Sequence, residues 1–445
     1  MTPESTTIHS PTLRRSLGIP TLVMFGLSYM VPMTVFTTYG IVNEITQGHL
    51  SLAYAVTLSA MVFTAVSYAV LSREVPAAGA AYDYARAGFG GHIGFMTGWV
   101  IMVDYILLPM LNYLLIGLYL HEQFPAVPAW VFSMAALLLV LILNVVGINA
   151  VKHANVVLVS LQVLFFIIFA VMALRSFDPS ISLLDPFIGG DIDASLIMAG
   201  AAILCLSFLG FDAVSTMSEE AKEPRRTVPV AVILTTLAGG GIFIVISWLA
   251  HVAHPNVVTG ENADTAALAM LMHIGGNLLV ALFLAAYVTG ALGSALASQA
   301  GVSRILYSMG RDGVLPRRIF GVLSERFRTP VGAILVVAVI SVSAVFASVD
   351  FVASIVSFGA LTAFTVVNLA VVSIFLVQKR HRGAPSILLY GLVPVVGFGL
   401  TLWLWTSLSG STLFFGLLWV ALGVGYLAVL TRGFREPPPS LNLRE

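Results

Sequence analysis

Two carboxylates stand inside long apolar stretches of this chain, where a charged side chain is unusual. Asp104 lies within the stretch 99–109, and Asp212 follows Gly210 by two residues. A charge at the centre of a membrane helix costs about 2.5–3.5 kcal/mol on insertion scales, so such residues usually face a cavity or a partner. With no Lys or Arg predicted at the same depth, each carboxyl group either stays protonated or binds a proton or cation delivered from outside. A protonated, hydrogen-bonded structural role stays open for both, and Asp212 lies near enough to one membrane surface to be hydrated.

The elements that position these two residues are expected to be membrane-spanning helices. Of the 445 residues, 58% are hydrophobic and 9% are charged, whereas a soluble domain carries about 25% charged residues. A spanning helix needs about 20 mostly apolar residues. Stretches of that kind occur at roughly 18–43, 50–72, 94–120, 127–149, 154–175, 194–218, 228–252, 276–303, 331–349, 352–378, 386–408 and 412–431. The sequence therefore predicts an all-α integral membrane protein of about twelve transmembrane helices.

The basic residues indicate how these helices are oriented, because Lys and Arg in short loops favour the cytoplasmic side. With twelve spans and the N-terminus inside, all of the 21 Lys and Arg residues except Arg175 fall in cytoplasmic segments. We expect a multi-pass protein of the cell (inner) membrane, with cytoplasmic tails at 1–17 and 432–445. Interleaved apolar and basic residues at 303–316 predict a short interfacial helix after span eight. The balance of 21 basic and 21 acidic residues argues against a nucleic-acid partner.

Spans one and six each carry an interruption. Pro32 removes a backbone donor within span one, and Gly210, a weak helix former, stands two residues before Asp212 in span six. The two spans lie five apart, an odd offset, so the second runs inverted against the first. Interrupted helices at matching positions in two halves indicate an inverted-repeat transporter with a site near the membrane midplane. A simple proline kink at Pro32 is the alternative.

Other kinds of chemistry find little support in the sequence. His251 and His254 stand three residues apart but have no third ligand nearby, so no metal site is expected. The glycines between 88 and 94 follow no strand, which argues against a dinucleotide-binding loop. Since no nucleophile and base are found together, we expect neither an enzyme nor a bound cofactor.

Several motifs resemble those of the amino acid–polyamine–organocation superfamily, over about residues 17–431. The most specific is 208–229, which is similar to the family signature after span six, and further matches are 73–82, 94–99 and 303–316. Within the superfamily the chain is closest in appearance to bacterial putrescine importers, through Val103-Asp104-Tyr105 and the stretch from Tyr29 to Phe36.

The resemblance implies a fold of two inverted repeats of five helices, the LeuT-type arrangement, with two peripheral helices. The repeats would occupy about 18–175 and 194–378 of a transport core at 18–378, and the peripheral helices 386–431. It also implies a substrate site formed by spans one, three, six, eight and ten. The residues predicted to bind substrate are Ser28, Tyr29, Met30, Val31, Asp104, Tyr105, Asn112, Ser207, Phe208, Gly210, Phe211, Asp212 and Tyr287.

The break in span one favours an amine over an amino acid as the substrate. Amino-acid carriers of the family usually have a Gly-rich break there, whose bare amides hold the substrate carboxylate. Here Tyr29, Met30, Val31 and a proline without a donor form a poor carboxylate site. We therefore expect a secondary active transporter that imports a small organic amine, putrescine above all, by proton-coupled alternating access.

Three residues are candidates for proton coupling, namely Asp104, Asp212 and Gln162, which stands where some family members carry a Lys. The missing Lys puts that form of coupling in doubt. Alternative functions are a proton-coupled amino-acid symporter and an amino acid/amine antiporter of the same fold. A channel or a receptor without transport is less favoured. The expected partners are the amine or amino acid, protons and the lipid bilayer.

Overall fold

Helices form the regular structure of the part of the chain that the computed structural model describes. That part comprises residues 17–76, 79–146, 151–177, 179, 182–189, 192–219, 221–255, 263–311, 313, 315–324, 327 and 329–438. The predicted N-terminal tail, except Leu17, and the last residues of the C-terminal tail lie outside it. Within these ranges the only β pairing is an isolated parallel bridge between Leu17 and Ala221.

The helices of the first half are α1 Ile19–Met30, α2 Thr34–Thr37, α3 Tyr39–Ile45, α4 Leu50–Glu74, α5 Ala81–Phe89, α6 Gly91–Gln123, α7 Ala129–Val146, α8 Val151–Arg175 and α9 Asp185–Ile188. Those of the second half are α10 Ala194–Leu204, α11 Ala213–Thr216, α12 Pro224–Ala253, α13 Ala266–Arg311, α14 Arg317–Phe320, α15 Val331–Val342, α16 Val349–Val372, α17 Ala384–Ile387, α18 Val393–Thr406 and α19 Gly410–Leu430. Short 3₁₀ turns extend α10 to Phe208 and α15 to Phe346, and π-helical turns occupy Ser373–Gln378 and Leu388–Leu392.

In the part of the chain that the structure describes, ten segments are long and apolar enough to cross a membrane. Leu161–Arg175 and Val331–Phe346 are shorter apolar helices among the described residues, and they correspond to predicted spans five and nine. The prediction of an all-α membrane protein is confirmed, while the count of twelve spans stays a prediction.

The first span is interrupted directly before Pro32. Helix α1 ends at Met30, and Val31 takes a left-handed conformation with φ of 46°, which a β-branched residue rarely adopts. The chain resumes as α2 at Thr34 and as α3 at Tyr39. Since proline donates no backbone hydrogen bond, the carbonyl groups that end α1 lose a partner here.

The sixth span is interrupted between Leu209 and Asp212. Helix α10 begins at Asp193, whose carboxylate caps it by accepting hydrogen bonds from the amide and hydroxyl of Ser195 at 2.8 and 2.6 Å. These two bonds lower the pKa of Asp193. The helix tightens into a 3₁₀ turn, and Gly210 then adopts φ of 132°, a conformation that strongly favours glycine.

The two interruptions touch each other. A methyl group placed on Gly210 would stand 2.8 Å from the carbonyl oxygen of Gly26 and 2.9 Å from the backbone nitrogen of Met30. Only a residue without a side chain allows the two backbones to approach so closely. The packing of span six on span one therefore depends on Gly210.

Span eight is longer than predicted. Helix α13 runs from Ala266 to Arg311 with a kink at Gly276, where φ is 60°. The prediction of a separate interfacial helix at 303–316 was wrong, because the helix continues to Arg311 without interruption. The residues that end it, Gly313 and Pro316, come after that point.

One face of the molecule gathers the segments predicted to be cytoplasmic. The carbonyl oxygen of Leu17 accepts a hydrogen bond of 3.0 Å from the amide of Lys222. The hydroxyl of Ser373 donates to the carbonyl oxygen of Gly88 at 2.6 Å, and Lys379 forms an ion pair with Glu74. The first contact joins the beginning of α1 to the turn before α12, and the other two join the end of α16 to α5 and α4. We call the surface that carries these predicted cytoplasmic segments the common face.

Candidate functional site

A cavity of ≈ 610 Å³ is lined partly by segments predicted to be cytoplasmic, which contribute Ala80 and Arg311, and partly by membrane spans. Its walls come from α1, the segment before α5, α6, α11 and α13. Aromatic side chains line much of it, namely Phe25, Tyr29, Tyr82, Phe95, Trp99, Tyr105 and Tyr307, and Arg311 stands among them. Aromatic faces attract organic cations, so the lining suits an amine.

Asp104 is not part of this lining, but it adjoins the lining residue Tyr105 in α6. It is 1% exposed, and its Oδ1 atom has no hydrogen-bond partner among the described residues. Buried polar atoms are almost always hydrogen-bonded, and leaving one without a partner costs about 1–3 kcal/mol. An orphaned carboxylate oxygen is therefore a position where a ligand donor or a proton would be strongly stabilised.

Glycine brings a neighbouring helix close to Asp104. A methyl group on Gly359 in α16 would lie 3.1 Å from the carbonyl oxygen of Val100 and 3.4 Å from the backbone nitrogen of Asp104. Helix α16 thus packs directly on the backbone of α6 at this level, which fixes the depth of the carboxyl group.

Asp212 is 2% exposed and stabilises the break in span six. Its Oδ1 atom accepts a hydrogen bond of 3.0 Å from the amide of Gly210. The hydroxyl of Ser215 donates to the Asp212 carbonyl oxygen at 2.6 Å, which fixes the turn into α11. The Asp212 carboxylate thus accepts a hydrogen bond from the backbone amide of Gly210, which lies at the break.

The two carboxyl groups and two tyrosines form one electrostatic group. Asp104 and Asp212 lie close enough to interact with each other, and both interact with Tyr29 and Tyr105. These four residues come from α1, α6 and the break before α11. Residues that the sequence placed on three different spans are therefore brought together, and two of them, Tyr29 and Tyr105, line the cavity.

Tyr54 of α4 connects the two interrupted spans on the far side of the breaks. Its hydroxyl lies 3.0 Å from the Thr38 hydroxyl and 3.3 Å from the Ser207 hydroxyl. Thr38 follows the first break, and Ser207 precedes the second. This chain of three hydroxyls holds both spans against a continuous helix.

Other predicted substrate residues lie away from the described cavity lining. The sulfur of Met30 packs against Gly239 of α12, and the ring of Phe208 packs edge-on against Phe243 at 5.3 Å. Phe211 packs edge-on against Tyr68 at 5.6 Å. Ser28 is half-buried near the end of α1.

Helix α13 contacts three of the predicted residues, Asn112, Val31 and Gln162. The amide of Asn112 donates to the Ser294 hydroxyl at 3.2 Å. The side chains of Gln162 and Val31 both lie against Gly290, where a methyl group would stand 2.9 Å from Nε2 of Gln162. Gln162 therefore adjoins the first break from the α8 side, next to α13.

Aromatic rings close the molecule at the other end from the cavity mouth. Phe36 of α2 packs edge-on against Phe169 at 5.2 Å and against Phe283 at 5.4 Å. Tyr119 packs against Tyr287 at 5.1 Å, and its hydroxyl donates to the Phe36 carbonyl oxygen at 3.2 Å. Tyr287, predicted to bind substrate, is part of this aromatic seal.

Sequence reasoning missed several residues at the site. Tyr68 of α4 is fully buried, its hydroxyl has no partner among the described residues, and it lies within electrostatic reach of both carboxyl groups. Trp99 lines the cavity and stacks on Trp419 of the peripheral helix α19 at 4.7 Å. Buried aromatic residues are common in apolar spans, so nothing in the sequence distinguished these two.

The arrangement can bind a cation and expose it to one side of a membrane at a time. Among the described residues, no three His, Cys, Asp or Glu side chains gather as they would around a metal ion. An all-helical membrane protein with two touching interrupted spans and a one-sided cavity has the architecture of a secondary transporter.

Comparison with known proteins places the chain in a family. The Amino acid permease family model matches residues 17–429. The chain is similar to the low-affinity putrescine importer PlaP of Escherichia coli (strain K12), with 37% identity over 433 residues, which cover 96% of each chain. It is also similar to the methylthioribose transporter of Bacillus subtilis (strain 168), with 25% identity over 439 residues and 93% of each chain. The branched-chain amino acid permease BcaP of the same organism shows 25% identity over 449 residues, 93% of this chain and 92% of that one.

The chain thus belongs to the amino acid permease family. It is a multi-pass membrane transporter, as predicted, and not an enzyme.

Proposed function

We propose that this transporter imports a small organic diamine, putrescine, and that Asp104 holds one of its ammonium groups. The function of the putrescine importer PlaP, which shares 37% identity with this chain over nearly its whole length, supports putrescine as the substrate. The observation that carries the proposal is the orphaned Oδ1 atom of the buried Asp104, which adjoins Tyr105 in the aromatic cavity lining. An ammonium group supplies the hydrogen bonds and the positive charge that this atom lacks.

The two breaks favour an amine over an amino acid. A substrate carboxylate needs free backbone amides at a helix break. Pro32 has no amide hydrogen in the first break, and in the second the amide of Gly210 is already bonded to Asp212. The negative charge of Asp212 would also repel a carboxylate. A substrate without a carboxylate meets neither obstacle.

The cavity supports alternating access with the cytoplasmic side open. We assign the common face to the cytoplasm of a cell (inner) membrane, because Lys and Arg concentrate in its segments. The aromatic seal around Phe36 then faces outward. Movement of one inverted repeat, 18–175, against the other, 194–378, would open the seal and close the cavity.

Import of a cation gains from the membrane potential. Each charge contributes about 2.3 kcal/mol per 100 mV, so a dication gains about 4.6 kcal/mol. We further propose that a proton is carried with the amine on Asp104 or Asp212, since the two carboxyl groups lie close enough for the charge of one to influence the other. Gln162 adjoins the first break but has no titratable group, so it would act only by hydrogen bonding.

A proton-coupled amino-acid symporter, or an amino acid/amine antiporter, is the second candidate. The similarity to the branched-chain amino acid permease BcaP favours it. Competition separates the two, because an amino-acid carrier would be blocked by zwitterions and a diamine carrier would not. A channel would saturate only weakly, and a receptor would show no flux.

Uptake of radiolabelled putrescine into proteoliposomes tests the proposal. We expect saturable uptake that is stimulated by an imposed inward proton gradient and blocked by unlabelled diamines. Leucine and other amino acids should leave it unchanged. If putrescine is not taken up and amino acids are, the proposed substrate is wrong while the fold assignment stands.

A further inference from the structure

A pair of tryptophans fastens the peripheral helix α19 to the wall of the cavity. Nε1 of Trp99 in α6 donates to the carbonyl oxygen of Trp419 at 3.0 Å, and Nε1 of Trp419 donates to the carbonyl oxygen of Trp99 at 3.1 Å. The two indole rings are stacked, with centroids 4.7 Å apart and planes at 17°. Residues 320 positions apart in the chain therefore hold each other by hydrogen bonds in both directions and by the stack between them.

These contacts satisfy polar groups that apolar surroundings leave without water. An indole nitrogen only donates a hydrogen bond, and it usually finds an acceptor where the ring is buried. A backbone carbonyl oxygen has two lone pairs, so it can accept an indole hydrogen beside its bond within the helix. Replacing either tryptophan by leucine would remove one indole hydrogen bond and the stack, and would release the other ring.

Helix α19 has a gap that fits the Trp99 ring. A methyl group on Gly423, one turn after Trp419, would stand 2.6 Å from Nε1 of Trp99. Glycine at this position therefore lets the indole lie directly against the backbone of α19. Two residues further on, nothing lies within 4 Å of a methyl group on Gly425. The two glycines of one helix thus differ in whether a ring fills the space beside them.

Two further aromatic residues extend the stack along both helices. The ring of Tyr426 in α19 lies 5.7 Å from that of Trp99, and the ring of Phe95 in α6 lies 6.3 Å from it. Phe95 and Trp99 line the cavity, while Trp419 and Tyr426 stand outside its described lining. The aromatic residues of α19 therefore form a second layer behind the cavity wall.

We propose that Trp419 is a positioning residue for the substrate, which holds the Trp99 ring in the cavity wall where that ring attracts an ammonium group. The inference rests on the proposed function, because it assigns a cation–π contact to the amine in this cavity. A ring that is already fixed loses little conformational entropy when it contacts a ligand. Helix α19 then belongs to the binding unit, although the described lining comes from other segments.

Equilibrium binding of putrescine to the purified full-length protein in detergent tests this role. We expect Trp99→Leu to weaken binding about tenfold, through the loss of a desolvated cation–π contact. Trp419→Leu should weaken it about threefold or more, because the ring of Trp99 is no longer fixed before the amine binds. Trp403→Leu, the same change at an exposed position of the other peripheral helix α18, should bind as the unmodified protein does.

The double variant Trp99→Leu/Trp419→Leu separates positioning from a general effect on stability. If Trp419 acts through Trp99, the double variant binds as weakly as Trp99→Leu alone, within about twofold. A loss equal to the product of the two single losses would show that Trp419 acts independently of Trp99, and would overturn the proposal. Unchanged affinity in Trp419→Leu would overturn it as well.

Gly423→Ala displaces the Trp99 ring without replacing either tryptophan, so it decides the question if a tryptophan variant does not fold. We expect it to weaken binding about threefold or more, whereas Gly425→Ala should bind normally. Equal affinities in the two glycine variants would overturn the positioning role and leave the proposed function standing. If the unmodified protein does not bind putrescine, the proposed function fails and this inference fails with it.

Discussion

The amide of Gly210 donates a hydrogen bond of 3.0 Å to Oδ1 of Asp212, at the point where span six is interrupted. This bond gives Asp212 a structural task beside any role in charge transfer. It also occupies a backbone donor at this break that could otherwise hold a carboxylate substrate. The two tasks are separable, because the side chain of Asn retains an acceptor oxygen while it loses the charge.

Asp212→Asn should fold with nearly unchanged stability and should lose the proton dependence of uptake. Asp212→Ala should be destabilised by about 1–3 kcal/mol, because the buried Gly210 amide loses its acceptor. Thermal unfolding in detergent, together with uptake at several proton gradients, measures both effects. Proton-stimulated uptake that persists in Asp212→Asn would leave Asp212 with the structural task alone.

Gly210→Ala should abolish transport and lower stability. The new methyl group would meet the backbones of Gly26 and Met30 below 3.0 Å, and a left-handed φ costs a non-glycine residue about 1–3 kcal/mol. Gly241→Ala is the matched control, since nothing lies within 4 Å of its added methyl group. Normal uptake by Gly210→Ala would show that the two broken spans do not depend on this close approach.

Much of this site could be predicted from the sequence. A helix break and a charged residue within an apolar stretch can each be recognised from a few neighbouring residues. Pro32, Gly210, Asp104 and Asp212 stand out in apolar stretches, and the structure gathers them around touching breaks. The direction in which each neighbour points depends on packing. Met30 is adjacent to the break in sequence but turns toward Gly239.

Contacts between distant residues were not predictable from the sequence. Tyr54 contacts both Thr38 and Ser207, and Ser207 lies 153 residues further along the chain than Tyr54. Tyr287 belongs to the aromatic seal and not to the cavity lining. An apolar span places aromatic and hydroxyl side chains on all its faces, so their partners emerge only when the helices pack. The interleaved apolar and basic residues of 303–316 predict a separate interfacial helix, whereas α13 continues through this stretch to Arg311.

Cysteine labelling should report the open side of the cavity. The native Cys205 is fully buried, so background labelling will be low. Ala297→Cys, in the cavity lining, should react with a membrane-impermeant thiol reagent from the cytoplasmic side, and putrescine should slow the reaction. Ser411→Cys, exposed at the start of α19, should react from the outer side only. Labelling of Ala297→Cys from outside alone would reverse the assigned orientation.

Tyr54→Phe should alter the rate of transport more than the binding of substrate. The variant removes the hydroxyl that joins both broken spans and costs about 0.5–1.5 kcal/mol in hydrogen bonding, while the cavity lining stays intact. Binding of putrescine in detergent and its maximal uptake rate separate the two effects. Tyr390→Phe, in a peripheral π-helical turn, should change neither. An equal loss of binding and rate in Tyr54→Phe would place Tyr54 in the substrate site itself.

The central claim is that Asp104 holds an ammonium group of the substrate, and equilibrium binding of putrescine to Asp104→Asn in detergent tests it most directly. We predict that affinity falls about 30-fold or more, as expected when one partner of a buried charged pair is removed. Asp193→Asn, the cap of α10 in an exposed loop, should bind as the unmodified protein does. Unchanged affinity in Asp104→Asn would contradict the assignment.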